Sequence, residues 1–336
     1  MGIKVVQSPQ QSAPRGIESQ QASVKNLPVS LFASVMGIAG LSLSWKLASH
    51  QFGIGTTVSA LVGLLAEIVF VVLVIAYGVK TARYPEAVMN EFRHPVAGNF
   101  FGTVAIAMLL VSAVMGHATP RLAEVLWTLG SIAAIALAFS VIHRLFQGKL
   151  DPGHVLPAWL IPGVASLDIV VTGADMRMSW AHELNVFALA IGTVLALVFF
   201  TMIVSRIAHH ERLPNHLVPS FMILIGPFEV GFLAYTNFTQ DVDVFAAILF
   251  YFGLFLFFAM VFKVFRRGIP FGAGWWAIGF PLAALSSAAL KYSATAHVWA
   301  ISALAVFLLG FLSAVITVLF IRTLRLTFSG QLLAGK

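Results

Sequence analysis

Ten stretches of about 20 apolar residues follow one another along this chain, each bounded by charge, proline or glycine. A run of that length crosses the roughly 30 Å hydrocarbon core of a bilayer as one α-helix. The expected spans are 28–48, 54–79, 97–116, 122–146, 157–174, 183–205, 217–236, 243–264, 271–290 and 298–321. The fifth is the least regular, interrupted by Pro157, Pro162, Gly163 and Asp168. Composition agrees: 59% of residues are hydrophobic and 10% charged, against about 25% charged in soluble domains. The expected fold is an all-α integral membrane domain over residues 27–322, with a disordered tail at 1–26 and a short tail at 323–336.

Ten alternating spans divide the 20 Lys and Arg residues very unequally. One side receives sixteen, and the other only Lys46, Arg121, Arg177 and Lys291. The positive-inside rule then places both termini in the cytoplasm, and the expected location is a plasma membrane, of the bacterial inner type. The formal charge of +7 sits at span ends and forms no single stripe, so no nucleic-acid partner is expected. With no cysteine, thiol chemistry is excluded.

The spans are of two kinds. Odd spans contain or begin with proline: Pro28, Pro95, Pro157 with Pro162, Pro219 with Pro227, and Pro270 with Pro281. Even spans have only Pro120, at the start of the fourth. Proline inside a span frees a carbonyl and bends the axis, which is tolerable against protein or water and poor against lipid. The odd helices are therefore expected to form an inner ring around a central pore, kinked at Pro162, Pro227 and Pro281, and the even helices an outer ring facing lipid. The bland alternative is that proline only marks helix starts.

No P-loop, dinucleotide fingerprint, zinc-protease helix or nucleophile elbow is present, and the ten histidines form no ligand pair within a span. No enzyme, cofactor or metal is expected. Three acids lie inside spans, Glu67, Asp168 and Glu229, where ionisable groups normally face a cavity or a partner. Glu229 and Asp168 are candidate proton-titrating residues, or alternatively paired structural groups; Glu67, on an outer helix, reads as a packing residue. The inner helices carry no repeated acid as in cation filters but offer Ser, Thr, Gly and Phe, which fits an anion conduit closed by apolar side chains. Candidate pore liners are Phe32, Phe100, Phe101, Phe228 and Phe280.

The ninth span, Gly274-Trp275-Trp276-Ala277-Ile278-Gly279-Phe280-Pro281-Leu282-Ala283-Ala284 followed by Leu290-Lys291-Tyr292, resembles the matching helix of the tellurite-resistance and C4-dicarboxylate transporter family, which includes TehA and the plant slow-type anion channels. Asn26-Leu27-Pro28-Val29, Glu91-Phe92-Arg93-His94-Pro95-Val96, Pro157-Ala158-Trp159-Leu160-Ile161-Pro162 and Pro219-Ser220 with Gly226-Pro227 extend the likeness over residues 26–325. The resemblance implies five helical hairpins around a pore, a homotrimer with one pore per subunit, and a phenylalanine gate that Phe280 matches. It implies small inorganic or carboxylate anions as cargo. Three functions stay open: a passive anion channel, a proton-coupled carrier of dicarboxylate, sulfite or tellurite-like oxyanions, and an exporter of lipophilic cations. The short tails depart from the long, kinase-modified tails of plant members.

Overall fold

The computed structural model describes residues 23–116, 118–148 and 152–334. Most of the expected N-terminal tail, His117 and Lys149 lie outside these residues. The described chain is helical throughout, with no strand among its elements. The α-helices are α1 (Ala33–Phe52), α2 (Thr57–Arg83), α3 (Pro85–Arg93), α4 (Gly102–Met115), α5 (Pro120–Phe146), α6 (Ile161–Gly173), α7 (Ala181–His209), α8 (Gly226–Thr239), α9 (Val244–Val264), α10 (Gly279–Ala296) and α11 (Trp299–Phe328). Among the described residues, nine helices are long and apolar enough to cross a membrane, and Pro157–Gly173 is a shorter apolar tenth. The molecule is a multi-pass membrane protein.

Burial separates the helices into the two expected classes. In the segments Val29–Phe52, Ala97–Met115, Asn215–Thr239 and Ala273–Ala296, between 61 and 83% of the apolar stretch is buried. In α2, α5, α7, α9 and α11 the share is 28 to 39%. Leu61, Ile132, Val194, Phe262 and Phe307 stand on the exposed face of the second class, an apolar surface that only lipid or another apolar surface can cover. Residues 155–170, leading through α6, are buried without exception.

All five inner helices share a feature that the proline pattern only hints at. Each starts as a 3-10 helix, over Val29–Phe32, Ala97–Phe101, Pro157–Leu160, Asn215–Ile225 and Ala273–Ile278, and becomes α-helical at Ala33, Gly102, Ile161, Gly226 and Gly279. Pro162 and Pro227 fall in the first two residues of α6 and α8, and Pro281 is the third residue of α10. First-turn N–H groups have no intrahelical acceptor, so proline costs little there. Three of the five inner helices therefore change helix type at these prolines, α1 and α4 do so without one, and no proline interrupts an α-helix in mid-course.

Both ends of the described chain, at residues 23–26 and 333, lie on the face where these 3-10 segments begin. The Ser23 N–H donates to the Leu333 carbonyl at 3.1 Å, and Asn26 Nδ2 donates to the same oxygen at 3.0 Å. On this terminal face, cations at the ends of outer helices stack on rings in α3, in the Asn215–Ile225 segment and just before the Ala273–Ile278 segment: Arg144 over Phe92 at 5.5 Å, Lys263 over Phe221 at 4.0 Å, Arg322 over Phe271 at 5.3 Å. Such contacts hold basic side chains in a fixed direction.

Glu91 ties the first segment down. Its Oε1 accepts the Val29 N–H at 2.8 Å, and its Oε2 accepts Lys80 Nζ at 2.6 Å and the Tyr77 hydroxyl at 3.0 Å. Lys80 also donates to the Leu27 carbonyl at 2.7 Å. His94 follows, its Nδ1 accepting the N–H groups of Val96 and Ala97 at 3.2 and 3.1 Å and so opening the next 3-10 segment. Glu91-Phe92-Arg93-His94-Pro95 thus works as a joint between α2, α3 and two inner helices.

Candidate conduction pathway

Helices α1 and α10 run side by side in parallel, and small residues let them meet. A Cβ on Gly37 would come within 3.4 Å of the Gly279 Cα, and one on Gly40 within 2.6 Å of the Ala283 Cβ. One turn further on, the hydroxyls of Ser44 and Ser287 are 2.8 Å apart. This small-residue seam is a common means of close helix approach in membranes.

Between the inner helices lies a cavity of about 680 Å³, opening at the face opposite the termini. Its rim includes Glu124, Asp175, Arg177 and Gln240; its walls include Lys46, Asp168, Thr172, Asn237, Ser287 and Lys291; Phe280 reaches it from below. The volume is far above the roughly 10–15 Å³ that holds one water, and the lining is polar, so this vestibule is wet. On the terminal side lies a second space of about 30 Å³, lined by Ala33, Phe100, Thr103, Ile161, Gly226 and Pro281 among others, and again by Phe280. Phe280 is a wall of both spaces, and it stands beside the ring of 3-10 to α junctions.

Helix α6 forms part of the vestibule wall, through Asp168, Val171 and Thr172. Its 13 residues rise only about 20 Å, and the carbonyls of its last turn have no helical partners. Side chains from three neighbours donate to carbonyls at this end of α6: Trp127 Nε1 to Ile169 O at 3.1 Å, Asn237 Nδ2 to Val171 O at 2.8 Å, and Asn185 Nδ2 to Gly173 O at 3.0 Å. Asn237 in turn accepts Lys291 Nζ at 2.6 Å through its Oδ1. One asparagine therefore joins α6, α8 and α10 on the vestibule wall.

The structure sorts the expected site residues. Phe280 and Phe100 line the smaller space and Phe280 lines the vestibule as well. Phe32, Phe101 and Phe228 line neither. Phe32 packs edge-on against Phe70 and Tyr77 of α2, Phe101 against Tyr77 and Phe92, and Phe228 against Phe200 of α7 and Phe252 of α9. The two acids part in the same way. Asp168 lines the vestibule, buried, with Oδ2 lacking a hydrogen-bond partner. Glu229 is fully buried against α9, where Gly253 leaves room for its carboxyl group, and neither oxygen has a partner. Sequence reading had counted Lys46 and Lys291 only as topology signals, although Lys46 falls inside an expected span, which is the signal that it has a cavity to face.

The sequence profile described as "SLAC1: Voltage-dependent anion channel" matches residues 26–324, nearly the whole described chain. The chain belongs to this family. Its relatives include an uncharacterized transporter of Methanocaldococcus jannaschii, 28% identical over 78% of this chain and 83% of the relative. The tellurite resistance protein TehA homolog of Haemophilus influenzae is 26% identical over 91% of this chain and 92% of its own length. The S-type anion channel SLAH2 of Arabidopsis thaliana is 26% identical over 79% of this chain, which spans about half (52%) of the plant protein.

Proposed function

We propose that the chain forms a passive transmembrane path for small anions, closed in this structure by Phe280. The observation that carries this reading is that Phe280 lines both the polar vestibule and the mainly apolar space of about 30 Å³ on its terminal side. An apolar ring at a constriction closes a pore both sterically and by excluding water. Three of the four basic residues assigned to the far side, Lys46, Arg177 and Lys291, line the vestibule, which supports an anion as cargo. The names of the plant and Haemophilus relatives support the same class. In this reading the terminal face, with its surplus of Lys and Arg, is cytoplasmic, the membrane is a plasma membrane, and the protein works as a homotrimer with a pore in each subunit.

The test is anion current through purified protein in planar bilayers. Phe280→Ala raises it well above the wild-type level. Background current from a Phe280→Ala protein that remains folded and correctly assembled overturns the gate.

A proton-coupled carrier is the second reading, and the position of Asp168 favours that residue over Glu229 as its titrating group. Asp168 touches the vestibule with an unpartnered oxygen, whereas Glu229 is sealed between α8 and α9. Uptake driven by a pH gradient, lost in Asp168→Asn and kept in Glu229→Gln, supports a carrier. Uptake that follows only membrane potential and the anion gradient rejects it.

A further inference from the structure

We propose that Lys46 and Lys291 form an anion-holding site in the vestibule, loaded from the face opposite the termini and standing above Phe280. The inference rests on the reading of the pathway as an anion conduit and adds to it a place where the anion waits.

Height along the inner helices comes from the junction ring. At 1.5 Å per residue, Asp168 stands about 10 Å above the start of α6, Lys291 about 18 Å above the start of α10, and Lys46 about 20 Å above the start of α1. The two lysines are thus level with each other on adjacent parallel helices. They lie just beyond the Ser44–Ser287 contact, and both line the vestibule.

Their partners are incomplete. Lys46 makes no hydrogen bond or ion pair among the described residues. Lys291 spends one of its three N–H donors on Asn237, which fixes the ammonium group to the wall. The carboxylates that share the cavity are Glu124 and Asp175 at the rim and Asp168 below. None is within salt-bridge distance of either lysine, because the one ion pair among the described residues is Lys80 with Glu91. Asp175 at the rim acts on Lys46 only from beyond salt-bridge distance, and an ammonium group at membrane depth is costly unless water or a counter-ion reaches it. The vestibule admits both, so a small hydrated anion, inorganic or carboxylate, is the ligand that completes the site.

Two measurements test the site, only one of which needs current. In detergent at constant ionic strength, exchanging gluconate for nitrate or malonate raises the melting temperature of the wild type, since a ligand of the folded state stabilises it. The rise is absent in Lys46→Met with Lys291→Met and present in the Arg pair, which keeps the charge. Absence of any rise in the wild type, or an equal rise in the Met pair, overturns the proposal. In the Phe280→Ala channel, Lys46→Met alone cuts nitrate influx from the far side at 10 mM by about tenfold or more, the usual scale for a focused charged cleft. The loss disappears at 1 M, where the Debye length is only about 3 Å, and efflux is less affected. Unchanged influx at 10 mM also overturns the site. A silent Phe280→Ala channel overturns the gate instead, and leaves the melting experiment to decide the lysines.

Discussion

The same five helices build two different halves of one pathway. Above Phe280 they are α-helical and present lysine, asparagine and hydroxyl side chains to a cavity of about 680 Å³. Below it they are 3-10 helices, drawn together and sealed by Phe100, Ile161, Trp276 and their neighbours around about 30 Å³. A 3-10 helix has three residues per turn and a narrower body than an α-helix. Changing helix type at one level therefore packs one half tightly and leaves the other open. Phe280 sits at the change and lines both spaces.

The sharpest way to break that comparison uses the absence of cysteine in the native sequence, since any introduced thiol is the only one. Ser287→Cys, on the vestibule wall, reacts readily with a membrane-impermeant thiol reagent added on the far side. Thr103→Cys, in the closed space, reacts slower by about two orders of magnitude or more. Adding Phe280→Ala brings Thr103→Cys close to the vestibule rate. Equal rates at the two positions in the unaltered pore would mean that Phe280 separates nothing.

Next in size is the joint that holds the closed half. Lys80 and Glu91 are 2.6 Å apart with 4 and 15% side-chain exposure. Removing one partner of such a pair strands the other charge, at a cost of about 3–5 kcal/mol. Lys80→Met and Glu91→Gln should each lower the thermal midpoint strongly, and the double variant should recover part of the loss. A loss that is simply additive would mean that the two groups stabilise the fold independently.

Much of this architecture was legible beforehand, for a physical reason. Bilayer thickness sets span length, so apolar runs located the crossings to within a few residues, and proline placement separated buried from lipid-facing helices. The exchange of α for 3-10 helix was not legible. The two differ by one residue in hydrogen-bond register, and the choice is made by how five segments crowd at the centre. Direction around a helix was hidden as well. Asp168 and Glu229 look alike as acids inside odd spans, yet one turns to the vestibule and the other to Gly253, which only the neighbouring helices decide. Phe280 stood out through its resemblance to the family gate, and no periodicity would have chosen it among 29 phenylalanines.

The open half should yield to a smaller perturbation. Asn237→Ala leaves Val171 O without its donor and Lys291 without its acceptor, in a wall that water reaches. Loss of a partner for a buried polar group costs about 1–3 kcal/mol, and hydration brings this case to the low end. Asn185→Ala removes a buried side chain from behind the vestibule wall and one of the two donors to Gly173 O, the Met176 N–H at 3.2 Å being the other, and should cost more than Asn237→Ala. Comparison of their chemical or thermal midpoints checks the order, and the reverse order would argue that the vestibule is drier than its lining implies.

The smallest effect belongs to the hairpin tip between α8 and α9, next to the rim residue Gln240. Asp243 caps α9 by accepting the Ala246 N–H at 2.9 Å and also accepts the Tyr235 hydroxyl at 2.7 Å. Those bonds, led by the one from Ala246, hold its carboxyl below the ordinary carboxylate range. A depressed folded value means that the carboxylate contributes stability above its unfolded pKa of about 3.9 and loses it as pH falls through the folded value. Asp243→Asn keeps a capping oxygen but has no proton to gain. The variant should therefore start slightly below the wild type at pH 7, and the gap should close as pH drops below about 4. A gap that stays constant with pH would assign the cap to geometry alone, with the charge contributing nothing to the rim.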